Sequence, residues 1–257
     1  MPRAPFRKRR LLVLPLSRLF PNMVTIAGLC CGLSAIRFAM EGKFETAVAL
    51  LLAAAIIDGM DGRIARLLNS ASMFGAQLDS LSDFLCFGVA PGFVLYMWKL
   101  HELKGLGWAL VLFFAVCCAL RLARFNTNLA NENIEPWQTK FFVGIPSPAG
   151  AMLALMPLVA SFHYLPSDNV TFCAVWVSLI AVLMASRIPT FAAKKLRVHH
   201  EWVLPIMIIC GLAIVLMLIE PWMMFTVCGL LYCSTIPLSI RRYRKLLAVH
   251  KKEQKSA

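Results

Sequence analysis

Apolar residues in this chain come in long runs, without the alternation of a half-buried strand or the stripe of a surface helix. A helix needs about 20 mostly apolar residues to cross the hydrocarbon core of a bilayer. Roughly eight runs meet that length, at 22–40, 44–66, 78–98, 106–123, 144–162, 170–188, 203–219 and 222–238. They predict an all-α fold, a polytopic membrane helix bundle of about eight transmembrane helices. Ahead of the first run, four basic residues at 7–10 precede a short apolar stretch broken by Pro15 and Arg18. No small-residue cleavage site follows, so residues 1–21 are expected to form an amphipathic segment lying on the membrane. No repeat or long linker divides the chain. The expectation is therefore a single domain over 1–257, with an interfacial segment (1–21), a helix bundle (22–240) and a basic tail (241–257).

Charge refines this picture into a topology. With the N-terminus placed in the cytoplasm and the loops alternating, 22 Lys and Arg fall on the cytoplasmic side. The other side receives Lys43, Lys99 and Lys104, while Arg37 stays inside a run. That asymmetry predicts that both termini are cytoplasmic. Composition excludes other classes. With 60% hydrophobic and 15% charged residues and a mean hydropathy of +0.72, the chain can neither wet a soluble surface nor remain disordered. Its net charge of +13 would point to nucleic acid in a soluble protein. Here the basic residues flank apolar runs, so the expected contacts are anionic membrane lipids and no nucleic acid. The nine cysteines lie in or beside apolar stretches without a CxxC pair, and are expected to be buried reduced thiols.

The acidic residues break the pattern. Only 13 exist, and Asp58, Asp61, Asp79 and Asp83 share one window at the expected cytoplasmic ends of the second and third runs. A carboxylate at the centre of a span costs about 2.5–3.5 kcal/mol on insertion scales, so four together need something to offset them. At about 100° per residue, Asp58, Asp61, Gly62 and Ala65 lie on one helical stripe with Arg66 at its edge. Asp79 and Asp83 are i,i+4 neighbours, joined by Gly75 if their helix extends back far enough. A short connection makes the two helices antiparallel, so their acidic faces can meet. Four carboxylates without a nearby Cys or His suit hard divalent cations, Mg²⁺ or Mn²⁺, and can neutralise two. A paired-metal site suits displacement at phosphorus. Gly59, Gly62 and Ala65 leave the helix bare for an approaching group, and Arg66 can pair with a phosphate. A cation transporter would need polar groups continuing to the far side, whereas 47–57 and 85–97 are almost wholly apolar.

At these positions the sequence resembles the CDP-alcohol phosphotransferase family, whose signature reads D-x2-D-G-x2-A-R-x8-G-x3-D-x3-D. Asp58, Asp61, Gly62, Ala65, Arg66, Gly75, Asp79 and Asp83 match every fixed position and gap. Within the family it is most similar to the membrane-integral bacterial phosphatidylserine synthases, through Pro21–Thr25, Asp79–Pro91, Arg121–Asn126 and Gly144–Pro148. The resemblance implies transfer of a phosphatidyl group from CDP-diacylglycerol to an alcohol, L-serine being the expected acceptor, with release of CMP. It implies two divalent cations bridged by Asp58 and Asp79, Asp61 on the first and Asp83 on the second. Asp83 would also take the acceptor's proton. Asn22, Thr25, Gly62, Ala65, Arg66, Ser72 and Gly75 would form the CDP-diacylglycerol site. It further implies a homodimer in the cell (inner) membrane, with its active site facing the cytoplasm. Serine's carboxylate calls for a cation, and Arg121, Arg124 and Asn126 are the candidates to supply an acceptor site. Glycerol 3-phosphate, inositol phosphate or choline as acceptor, or an ether-lipid donor, would use the same core motif.

Overall fold

The computed structural model describes residues 20–67, 72–129, 141–163, 169–191 and 203–256. The expected segment at 1–21 and the turn at 68–71 lie almost wholly outside them. The described chain runs through α1 (Phe20–Met40), α2 (Phe44–Leu67), α3 (Met73–Phe84), a π-helical turn (Leu85–Val89) and α4 (Ala90–Trp98). A 3₁₀ turn (Leu100–Leu103) leads into α5 (Gly105–Leu129), followed by β1 (Phe141–Val143), α6 (Ser147–His163), α7 (Val170–Ala185), β2 (Pro189–Phe191), α8 (Val203–Ile219) and α9 (Pro221–Ser256). The fold is helical except where β1 and β2 form one short antiparallel ladder, pairing Phe141 with Phe191 and Val143 with Pro189.

Among the described residues, four segments are long and apolar enough to cross a membrane: Phe20–Met40, Met73–Trp98, Gly105–Thr127 and Pro221–Arg242. Shorter apolar helices fill Ser147–Phe162, Val170–Ala185 and Leu204–Ile219. Large apolar side chains are exposed along these helices, among them Leu33, Leu112, Val116, Leu179, Met207 and Leu218. Such an exterior is stable against lipid and not against water, which marks a membrane protein.

The centre of the bundle is the segment from Cys86 to Leu95, where Phe87, Ala90, Val94 and Leu95 are buried against α1, α2, α5 and α6. Small residues let α1 and α2 pack closely, with Ala35, Ala39, Ala47 and Ala54 buried. This is how membrane helices gain contact when no hydrophobic effect drives them together. Gly32 carries the tightest approach of α1 to the π turn: a Cβ there would lie 2.6 Å from Cys86 Sγ. On the outer flank, the indole of Trp176 donates to the Leu153 carbonyl at 2.7 Å and ties α7 to α6.

Several boundaries differ from the sequence expectation, each for a local reason. α3 begins at Met73 instead of 78, because Ser72 caps it by accepting from the Gly75 amide at 3.0 Å. The run expected at 144–162 starts as a helix only at Ser147, since 141–143 are held in the ladder. α7 stops at Ala185, where Arg124 Nη1 donates to the Ala185 carbonyl at 2.8 Å and, more weakly, to that of Ser186 at 3.4 Å. Gly144, at φ +79°, closes the ladder; a Cβ there would meet the Met184 and Ser186 carbonyl oxygens at 2.7 and 2.9 Å. The last run does not end near 238. Residues 239–256 continue α9 as one helix, because Arg, Lys, Leu, Ala, Glu and Gln are helix formers and no Gly or Pro interrupts them. Arg37, inside a run by hydropathy, sits in the last turn of α1 and donates to Glu41 at 3.1 Å, beside a 2.9 Å bond from Lys43. The Lys43 hydrogen bond, with Arg37 adding to it, holds the Glu41 carboxyl below its usual range. The cysteines also divide. Cys86, Cys117, Cys118 and Cys173 are buried and Cys31 and Cys233 half-buried, whereas Cys30 and Cys228 are exposed on apolar helix faces, which corrects the expectation for those two. All eight are free thiols.

Gly32→Ala is expected to destabilise the bundle by about 1–3 kcal/mol, because Cys86 lies on backbone fixed by the π turn. Thermal unfolding in detergent checks this; an unchanged midpoint would mean that α1 does not bear on that turn.

Candidate functional site

The two acidic pairs sit where α2 ends and α3 begins to enter the bundle. Spacing alone puts Asp58 and Asp61 on one stripe of α2 and Asp79 and Asp83 on one stripe of α3. Three contacts through α1 bring those stripes together. Thr25 Oγ1, buried in α1, lies 2.9 Å from Asp61 Oδ2 and 3.1 Å from the Pro21 carbonyl. Ser82 Oγ reaches the Thr25 carbonyl at 3.5 Å, and Cys86 Sγ the Gly28 carbonyl at 3.4 Å. Thus α1 acts as the spacer between the acidic helices. The π turn begins two residues after Asp83. Its extra residue per turn re-aims the chain from the acidic face into the core, a device common beside functional sites.

Carboxylate oxygens of Asp58, Asp61 and Asp79 all lie within 4.8 Å of one another. Asp83 lines the same small pocket as Asp58 and Asp61. Asp61 is buried and Asp58, Asp79 and Asp83 are half-buried, so the group gives up part of its hydration. Arg121, also buried, is the cation facing Asp58 and Asp83. One guanidinium cannot balance four carboxylates, and unpaired charge is costly in such surroundings. All the donors are oxygens, without thiolate or imidazole among the described ligands, and they converge from two helices. That donor set fits a hard divalent cation.

The glycines separate packing from access. A Cβ on Gly28 would meet Ile57 at 3.3 Å, but one on Gly59 or Gly62 would meet no described atom within 4 Å. Gly59 and Gly62 therefore do not serve helix packing; they leave open space beside the carboxylates. Gly75 belongs to the tight class, since a Cβ there would lie 2.8 Å from Asn22 Oδ1 and 3.2 Å from Ser72 Oγ. Asn22, Ser72 and Gly75 thus come together at the start of α3, as their joint assignment to one site requires. Thr25 lies against Asp61, one turn deeper. Ala65 and Arg66 continue α2, and their side chains lie outside the described residues.

The acceptor candidates do not stay together. Arg121 faces the acidic cluster and donates to Ser147 Oγ at the start of α6. Arg124 is spent on the carbonyls that end α7. Asn126 donates to Ser80 Oγ at 2.9 Å, tying α5 to α3. Sequence reasoning gave no separate part to Ser147 or Ser82, although both lie in segments that carry the resemblance, Gly144–Pro148 and Asp79–Pro91. Their contacts with Arg121 and with the Thr25 carbonyl come only from the packing of α6 on α5 and of α3 on α1. A cavity of about 360 Å³ between α6 and α9 is lined by groups such as Met152, Leu153, Met224 and Phe225 and offers no ligating carboxylate.

The sequence pattern of CDP-alcohol phosphatidyltransferases matches residues 18–238, and so covers every candidate site residue. Among curated proteins, the chain is 38% identical over 235 residues to the CDP-diacylglycerol–serine O-phosphatidyltransferase of Mycobacterium tuberculosis, covering 89% of this chain and 80% of the relative. The enzyme of the same name from Helicobacter pylori is 34% identical over 205 residues, covering 79% and 83%. That of Bacillus subtilis is 33% identical over 175 residues, covering 68% and 91%.

Saturating Mn²⁺ is expected to raise the unfolding midpoint of the purified protein, by about 2.7 kcal/mol of added stability at a hundred times the dissociation constant. Asp79→Asn should lose most of that gain while keeping its midpoint without metal. Equal gains in both proteins would remove the acidic cluster as the cation site.

Proposed function

This chain belongs to the CDP-alcohol phosphatidyltransferase family, and we propose that it transfers the phosphatidyl group of CDP-diacylglycerol to the hydroxyl of L-serine, yielding phosphatidylserine and CMP. The observation that carries this reading is the convergence of the Asp58, Asp61 and Asp79 carboxylates within 4.8 Å, with Asp83 beside them, in a chain 33–38% identical over the aligned residues to enzymes of that name.

In the reaction, Asp83 takes the proton from the serine hydroxyl as its oxygen attacks the phosphorus that bears the diacylglycerol. The bond from that phosphorus to the CMP oxygen breaks, and CMP leaves. An alcohol is a weak nucleophile at neutral pH, so a base within hydrogen-bond reach is required. Asp58 and Asp79 would hold two divalent cations, Mg²⁺ or Mn²⁺, in common, with Asp61 on the first and Asp83 on the second. Such cations, when bound, supply positive charge for the phosphate oxygens and the leaving group. Arg66 adds cationic charge at the CDP phosphates. Asn22, Thr25, Gly62, Ala65, Ser72 and Gly75 hold the rest of the donor's headgroup, and the open space over Gly62 supports that role. Thr25 also steadies Asp61. Acceptor binding falls to Arg121, with Arg124 and Asn126 shaping the site through the elements they tie together.

The chain is assigned one domain, about eight membrane crossings and cytoplasmic termini. The positive-inside asymmetry of 22 Lys and Arg against three supports this orientation. The acidic ends of α2 and α3 then face the cytoplasm from the cell (inner) membrane, where water-soluble serine and CMP exchange while the acyl chains stay in lipid. A homodimer is the proposed assembly.

Offered labelled L-serine, glycerol 3-phosphate, inositol phosphate or choline with CDP-diacylglycerol and Mn²⁺, the purified protein is expected to label lipid only from serine and to release CMP in equal amount. Asp83→Asn should lower turnover by about 10²–10⁴-fold. Label entering lipid from another alcohol, or near-normal turnover in the variant, would overturn the acceptor or the base respectively. Gly62→Val should keep stability within about 0.5 kcal/mol yet abolish CDP binding measured by calorimetry. Retained binding would mean that the open surface is not where the nucleotide lies.

A further inference from the structure

Building on the reading that the acceptor is serine, we propose that Arg121, Ser147 and Tyr232 form a subsite for the carboxylate of the acceptor, which selects amino acids over simpler alcohols. Three helices far apart in sequence, α5, α6 and α9, supply these groups. Arg121 is 9% and Ser147 0% exposed. One terminal nitrogen of Arg121 donates to Ser147 Oγ. Its Nε, buried in the bundle, has no hydrogen-bond partner among the described residues.

The charge around Arg121 is equally incomplete. The close ion pairs among the described residues are Arg37–Glu41, Lys43–Glu41 and Lys99–Glu102. Arg121 is in none of them, although Asp83, Tyr232 and Asp58 all act on it electrostatically. It stands near the catalytic carboxylates without touching them. An arginine that only tied α5 to α6 would have no reason to bury an unused donor. By contrast, Arg124 spends its donor on the α7 carbonyls and Asn126 on Ser80.

The groups on either side, a cation and a base, match the chemistry of a hydroxy amino acid. The Nε edge of a guanidinium matches a carboxylate with two parallel hydrogen bonds. In serine, the carboxylate and the hydroxyl are separated by two carbons. One molecule can therefore place its carboxylate on Arg121 while its hydroxyl reaches Asp83. Ser147 holds the guanidinium in orientation, and Tyr232 on α9 is close enough to act on it electrostatically. Substrate binding then completes the ionic pairing that the protein alone leaves open, so an alcohol without a carboxylate leaves a buried cation unpaired and is rejected.

The test measures serine transfer together with its inhibition by 3-hydroxypropionate, which keeps the hydroxyl and carboxylate, and by ethanolamine, which keeps the hydroxyl and ammonium. Arg121→Met is expected to raise the KM for serine and the inhibition constant of 3-hydroxypropionate by about 30-fold or more. The constant for ethanolamine and the KM for CDP-diacylglycerol should stay within about twofold. Ser147→Ala and Tyr232→Phe should each shift the serine and 3-hydroxypropionate constants by about three- to tenfold in the same selective way. These two variants carry the test alone if Arg121→Met does not fold. Unchanged constants, or equal shifts for both inhibitors, would overturn the subsite. A wild-type protein that uses another alcohol instead of serine would overturn the functional reading and the subsite with it, an outcome already visible before any variant is made.

Discussion

Like charges held close together with part of their hydration removed are the constraint around which this molecule is built. Carboxylates from two membrane helices repel one another, and each loses hydration at the lipid boundary. Left alone, the ends of α2 and α3 would splay apart. Here α1 lies between them and fixes the spacing through Thr25, which reaches Asp61, and through backbone carbonyls that accept from Ser82 and Cys86. Asn22 fills the space left by Gly75. The geometry is thus imposed by neutral hydrogen bonds and close packing, while the charge of the carboxylates is left uncompensated by the contacts described.

The two kinds of glycine express the same division. Gly28, Gly32 and Gly75 are small because a neighbouring helix or side chain occupies the space a Cβ would need. Gly59 and Gly62 are small with open space in front of them. The first kind draws α1, α2 and α3 together; the second leaves one face of the cluster open. In sequence the two are indistinguishable, because spacing reports which face a residue lies on and not what stands opposite.

That distinction explains how much could be read before the structure. The helices follow hydropathy closely, since lipid allows few alternatives to a fully hydrogen-bonded helix. The Asp quartet was legible because four carboxylates in apolar runs demand a common explanation, and their spacing names the faces. The start of α3 at the Ser72 cap, the π turn after Asp83 and the ladder of 141–143 with 189–191 were not legible. Each depends on a single local hydrogen-bonding choice or on pairing across about 50 residues. The acceptor side was legible only as a list of cations. Arg121 and Arg124 are one turn apart on α5, yet one faces the carboxylates and the other closes α7, a separation decided by what α6 and α7 bring to each.

The account rests on dications sitting among those four side chains. The most direct measurement is an experimental structure from crystals grown with Mn²⁺, with diffraction recorded at the manganese absorption edge. The account predicts two anomalous peaks per chain, bounded by Asp58, Asp61, Asp79 and Asp83 and separated by about 3.5–4 Å. Carboxylates turned to separate surfaces, with no anomalous peak between α2 and α3, would contradict it.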